Sequence, residues 1–212
     1  MSRYLGSACK LCRREREKLF LKGERCSSKN CTLDRKRGKN APGQQHQHGM
    51  VKGKMSDYAK HLREKQKARR VYGLTEEQFS HYYEVAEKMK GSTGDNLLKI
   101  LELRLDNVVA RLGLASSKKM ARQLVNHGNI LVNDKKIDVP RYQVKVGDVI
   151  TVPEKYKVNT VIKKLVDKTT LSVPAWLSFD KNKIAGVVIN EPLAGEVSHP
   201  LNSQLIVEYY SK

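Results

Sequence analysis

The chain has 212 residues, with 41 Lys and Arg against 22 Asp and Glu and a formal net charge of +19, a surplus that points to a polyanionic partner. Its hydrophobic share of 39% is lean but above the disordered range, so a real core is expected. No stretch approaches the ~20 consecutive apolar residues of a membrane span, and Met1 to Lys10 has no apolar signal-peptide core. A nucleic acid partner is therefore expected rather than a membrane, in the cytoplasm or an organelle of bacterial descent.

The charge is concentrated early. Residues 1–74 hold 21 Lys and Arg against 6 Asp and Glu, a net of +15. The first segment, residues 1–40, also holds all four cysteines, Cys9, Cys12, Cys26 and Cys31, spaced C-x2-C-x13-C-x4-C. Two close pairs joined by a short loop suit a tetrahedral structural zinc ion, with no open position left for catalysis. Neighbouring Lys10, Arg13, Arg14, Arg25 and Lys29 are expected to help deprotonate the thiols. Disulfides fit poorly with a chain lacking a secretion signal, and Cys9-Lys-Leu-Cys12 lacks the βαβ context of a dithiol redox centre. A segment with so few large apolar residues gains from zinc the stability that its core lacks. It would then present Arg13, Arg14, Lys22 and Arg35 to phosphates in a fixed pattern.

Residues 41–102 read as a basic loop followed by helices. The Gly- and Gln-rich stretch 41–55, with His46, His48, Lys52 and Lys54, is an irregular loop. Ser56 caps a helix through Arg70 that carries Lys60, Arg63, Lys67, Arg69 and Arg70. Thr75 and Gln78 form a capping-box pattern opening a second helix, which Gly91 ends. Thr93 or Asp95 caps a third, in which Leu97, Leu101, Leu105, Val108 and Leu112 recur at helical spacing as a core stripe.

Residues 103–165 read as a small RNA-binding module. Leu103 to Leu112 is helical, and Gly113 breaks it. Ser116 or Ser117 caps a short helix from Lys118 to His127, closed by Gly128. On it Lys118, Arg122 and Asn126 lie four apart with Lys119 and Gln123 beside them, while Met120, Ala121, Leu124 and Val125 turn inward. Asn133-Asp134 between two β-rich runs marks a hairpin. Arg104, Lys118, Lys119, Arg122, Gln123 and His127 are the candidate contacts to phosphates, sugar hydroxyls and base edges. Asp106 is expected to cap or to pair with a nearby arginine. A strand at Val149 to Val152 follows, then a helix from Lys157 to Lys168. In residues 166–212, Trp176 to Phe179, Ile184 to Ile189 and Gln204 to Tyr209 read as C-terminal strands that pack on the helical lobe. The fold class is α+β.

The words are more specific than the composition. Arg104-Leu-Asp-Asn-Val-Val, Ala121-Arg-Gln-Leu-Val and His127-Gly-Asn-Ile-Leu-Val-Asn resemble the RNA-binding domain named after small-subunit ribosomal protein S-four. Ser56-Asp-Tyr, Leu62-Arg-Glu-Lys-Gln-Lys, Tyr72-Gly, Pro42-Gly-Gln, Pro174-Ala-Trp-Leu and Gln204 to Lys212 extend the likeness over nearly the whole chain, and the cysteines resemble the zinc-bearing bacterial subset. The resemblance implies a structural constituent of the small ribosomal subunit in the cytoplasm. Such a protein binds a 16S rRNA junction early, nucleates assembly of the subunit body, contacts protein S-five and other small-subunit proteins, and contributes to translational accuracy. It also lies near mRNA where the message enters the subunit, with Lys52 and Lys54 as possible contacts. Asp134 stands where the family usually has glycine.

Rival readings fare worse. The same module is appended to RNA-modifying enzymes, but here no nucleotide-binding Gly loop or catalytic dyad accompanies it. No enzyme activity and no small-molecule substrate are expected. A zinc-dependent DNA-binding regulator would need a dimer surface and one recognition helix, whereas the basic residues here spread over three segments. A free RNA-binding factor built on the same module is the remaining alternative.

Overall fold

A computed structural model describes residues 4–34, 41–43, 55–157 and 173–211. The chain divides into two compact units, Met1–Gly94 with His199–Lys212, and Asp95–Ser198.

In the first unit, α1 (Ala8–Glu15) carries Cys9 and Cys12 and the single turn α2 (Glu24–Ser27) carries Cys26, with Cys31 in the chain just beyond it. Helix α3 (Asp57–Val71) starts as the sequence indicates, the Ser56 hydroxyl accepting the Ala59 N–H at 3.2 Å. Helix α4 (Glu76–Lys88) opens with the Thr75–Gln78 capping box and ends at Met89, ahead of Gly91. The stretch expected as a third C-terminal strand is instead helix α9 (Ser203–Tyr210). The Asn202 side chain accepts the N–H groups of Gln204 and Leu205 at 3.1 and 3.3 Å, nucleating a turn. Buried Ile206 and ring contacts then reward the helix: Tyr210 stacks on Tyr83 at 4.4 Å, and Tyr209 meets Tyr58 at 5.9 Å. Tertiary packing has overridden the β preference of Ile, Val and Tyr.

Helix α3 is so polar that its buried stripe, His61, Lys65, Ala68 and Val71, includes two basic side chains. Each has an acidic partner. His61 Nε2 lies 2.9 Å from Glu208 of α9, and the Lys65 ammonium pairs with Glu76 and sits 4.4 Å from the Tyr209 ring centroid.

In the second unit the expected run of helix to Leu112 is split into α5 (Thr93–Glu102) and α6 (Leu105–Arg111), with Arg104 extended between them. The break frees backbone groups to pair elsewhere. Leu105 N–H donates to Tyr142 O, and Val144 N–H to Leu103 O, both at 2.9 Å. Helical periodicity alone cannot reveal that such a distant partner exists. Ser117 caps α7 (Lys118–Asn126) through the Met120 N–H at 3.3 Å.

The sheet holds β1 (Leu131–Val132), β2 (Lys135–Lys136), β3 (Val149–Thr151), β4 (Leu177–Asp180) and β5 (Ala185–Val188), all antiparallel in the order β2-β1-β3-β5-β4. The strands expected at Trp176 to Phe179 and Ile184 to Ile189 therefore extend the module's own sheet, because β5 pairs with β3. One turn, α8 (Glu154–Lys157), follows β3, and the rest of the helix expected there lies outside the described residues. The core gathers Leu105, Val108, Leu112, Ala121, Val125, Ile130, Ile150, Trp176 and Val188 between α6, α7 and one sheet face. Gly186 permits this closeness: a Cβ there would lie 2.6 Å from the Leu112 Cδ2.

Candidate nucleic-acid interface

Helix α7 is held by Ala121 and Val125, both fully buried, so the opposite side of its wheel faces solvent. The exposed row is Lys119, Gln123, Asn126 and His127. Lys118 and Arg122, grouped with Asn126 from spacing alone, fall instead on the flank of the helix and are only partly exposed. Strand β2 adds exposed Lys135 and Lys136, and the Lys136 side chain runs across Gly128 just beyond His127. The result is a surface of one lysine, two amide side chains and a histidine along one helix and its C-cap, continued by two lysines of the hairpin. Such a surface offers charge to phosphates and hydrogen-bonding groups to sugars and bases. Lys135 and Lys136 were not among the residues anticipated; their place beside the Asn133-Asp134 turn was the available signal.

The flank of α7 is an ion network. Asp106, only 5% exposed, accepts from Arg104 Nε and Nη2 at 3.0 and 2.9 Å and from Arg122 Nε at 2.8 Å. Arg104 is itself 3% exposed. Asp106 thus pairs with arginines, as its sequence context suggests, and Arg104 and Arg122 direct their charge into the protein. Lys118 donates to the Ser198 hydroxyl at 2.6 Å. Burial pushes its ammonium down to about 8, with the attraction of Glu102 opposing. Glu102, 1% exposed, accepts from Asn107 Nδ2 at 2.8 Å and Arg111 Nε at 3.2 Å.

In the first unit most of the anticipated cations on α3 also meet carboxylates. Arg70 pairs with Glu15, which Arg63 approaches at 3.6 Å. Burial pushes the Glu15 carboxyl up and the Arg70 guanidinium down, each opposed by the charge of the other. Lys67 meets Glu17 at 2.9 Å, Arg69 meets Glu76 at 3.3 Å, and exposed Lys60 meets Asp57 at 2.8 Å. The pairs with Glu15 and Glu17 dock α1 and its following turn on α3, while that with Glu76 reaches the first turn of α4 and that with Asp57 lies within α3. Arg13 reaches the Ala41 carbonyl at 3.5 Å, while Arg14 and Lys22 are exposed. Arg35, Lys52, Lys54, His46 and His48 lie outside the described residues.

The four cysteines line one cavity of about 20 Å³ together with Lys22, Arg25, Thr32 and Leu33. Cys26 is buried and the other three are half-buried. Burial pushes the Cys12 thiol up, against a hydrogen bond with the Leu19 backbone, and the charges of Cys26, Cys9 and Cys31 add to the rise. Among the described residues, no group of three or more His, Cys, Asp or Glu side chains is arranged to hold a metal ion.

Comparison with known proteins places these features. The family model for the Ribosomal protein S4/S9 N-terminal domain matches residues 3–102, and that for the S4 domain matches residues 103–150. The chain is 81% identical over 212 residues to the small ribosomal subunit protein uS4 of Endomicrobium trichonymphae, covering 100% of both chains. It is 52% identical to uS4A of Clostridium novyi over 212 residues and to uS4 of Acetivibrio thermocellus over 213, again covering 100% of each. On this full-length likeness, the chain belongs to the uS4 family of small ribosomal subunit proteins.

Proposed function

We propose that the protein is a structural, non-catalytic constituent of the small ribosomal subunit in the cytoplasm, where it binds 16S rRNA. The observation that carries this reading is the solvent-facing row Lys119, Gln123, Asn126 and His127 beside Lys135 and Lys136, within a chain matched end to end by small-subunit proteins. The surface joins cations to amide and imidazole groups, which suits the irregular backbone and exposed base edges of folded RNA. The net charge of +19 supplies the long-range attraction.

The finer role is early binding at an rRNA junction, nucleating the subunit body and contributing to translational accuracy. The partners are protein S-five and mRNA where it enters the subunit. A single zinc ion on Cys9, Cys12, Cys26 and Cys31 belongs to the same reading. It is supported by their spacing and by the one cavity that all four line. The metal supplies a crosslink and no chemistry. The test is reconstitution: tagged protein added to protein-free 16S rRNA should cosediment with the assembling particle through washes at high salt. Failure to sediment with it would leave a free RNA-binding factor as the better reading.

A further inference from the structure

The cations on the flank of α7 are too deeply engaged to be simple phosphate contacts. Arg122 directs its Nε and Nη2 at Asp106, at 2.8 and 2.6 Å, and its side chain is 15% exposed. The same carboxylate is also held by Arg104, which bonds both of its oxygens and stands in the break between α5 and α6. Asp106 in turn is tied to the chain beyond the hairpin, its N–H donating to Pro140 O at 3.3 Å. One buried carboxylate thus joins three parts of the module: the helix break, the first turn of α6 and the middle of α7. Arg122 is next to Gln123 and three residues from Lys119, so its tether fixes the rotation of the exposed row.

Resting on the ribosomal reading above, we infer that Asp106 and Arg122 are positioning residues. Their ion pair sets the rotation of α7 so that Lys119, Gln123 and His127 meet RNA together, and Arg122 itself neutralises no phosphate. The charge arithmetic makes the idea testable with an unusual sign. Asp106→Asn raises the net charge by one, so attraction to a polyanion alone would tighten RNA binding or leave it unchanged. Positioning makes it weaken, by about tenfold, because the recognition row loses its support.

The experiment is titration of a 16S rRNA junction fragment with full-length, metal-loaded protein over a salt series, at a temperature where melting shows each variant folded. Asp106→Asn is expected to bind about tenfold more weakly. Equal or tighter binding by folded D106N overturns the inference. Should that variant not fold, Arg122→Gln decides, because it leaves Asp106 paired with Arg104. Its affinity should fall with the salt slope unchanged, whereas Lys119→Gln should lower the slope by about one. A loss of about one from the slope in R122Q would make Arg122 a phosphate contact and overturn the inference. Failure of the unsubstituted protein to bind would overturn the ribosomal reading itself and would be seen in the same titration.

Discussion

Glu102 accepts the N–H of Ser198 at 2.9 Å although 96 residues separate them in the chain. The same carboxylate receives Asn107 and Arg111, so one side chain fastens the end of α5 to α6 and to the last residue of the second unit. Replacing it with leucine leaves a guanidinium, an amide and a backbone donor short of an acceptor in a buried site. Glu102→Leu is expected to lower the unfolding free energy by about 3 kcal/mol, and Glu102→Gln, which keeps an acceptor oxygen, by less. Chemical denaturation with fluorescence of Trp176 reads both.

Lys118 makes stability depend on pH with a definite sign. Its folded ammonium is pushed down to about 8 by burial, whereas lysine in the unfolded chain titrates near 10.5. Between those values the unfolded state binds more protons, so stability contributed at this site rises with pH from about 8 to about 10.5. Lys118→Met removes that rise. Melting curves of the two proteins across the window should diverge at low pH and draw together toward its upper end; parallel curves would contradict the assignment.

The hairpin turn separates two residues that look interchangeable. Asn133 and Asp134 both adopt left-handed φ, 49° and 62°. Asn133 is anchored, donating to Asp148 at 2.8 Å and accepting the Val149 N–H at 2.9 Å. No such side-chain bond is seen for Asp134 among the described residues. Glycine tolerates the conformation at no steric cost, so Asp134→Gly should gain about 0.5 kcal/mol after its own entropy penalty, a rise in Tm of about 1–2 °C. Asn133→Gly loses two bonds and should cost about 1 kcal/mol. Calorimetry of both variants checks the contrast.

The cysteine cluster predicts a stoichiometry. Native mass spectrometry should find one zinc ion per chain, released by Cys26→Ser or by a strong chelator. Without the metal, limited proteolysis should cut first within residues 4–34, because the crosslink supplies what this segment lacks in core. A metal-free chain of unchanged protease resistance, with all four thiols open to alkylation, would remove zinc from the account.

What was legible in the sequence was local. Ser56, the Thr75–Gln78 pair and Ser117 cap the helices they were expected to cap, and Asn133-Asp134 makes the expected turn. Each of these signals rests on hydrogen bonds spanning three or four residues. The features that were not legible depend on partners far away in the chain. The break at Arg104 answers to Tyr142 and Val144, and α9 is a helix because of Tyr58, Tyr83 and the stripe of α3. Spacing placed Lys118 and Arg122 on the exposed face of α7, but Ser198 and Asp106 draw them to its flank. Composition counts a cation without showing which carboxylate it faces, so the basic residues of α3 looked freer for RNA than Glu15, Glu17 and Glu76 leave them.

Specific recognition of ribosomal RNA is separated from bulk charge attraction by one competition titration. Full-length, metal-loaded protein is titrated with 16S rRNA over a salt series, against excess tRNA and duplex DNA, and nuclease protection is mapped on the bound RNA. Binding should survive both competitors at physiological salt, with protection confined to one junction. Equal affinity for all three nucleic acids, falling together as salt rises, would show that the charge of +19 acts without specificity and would contradict specific recognition.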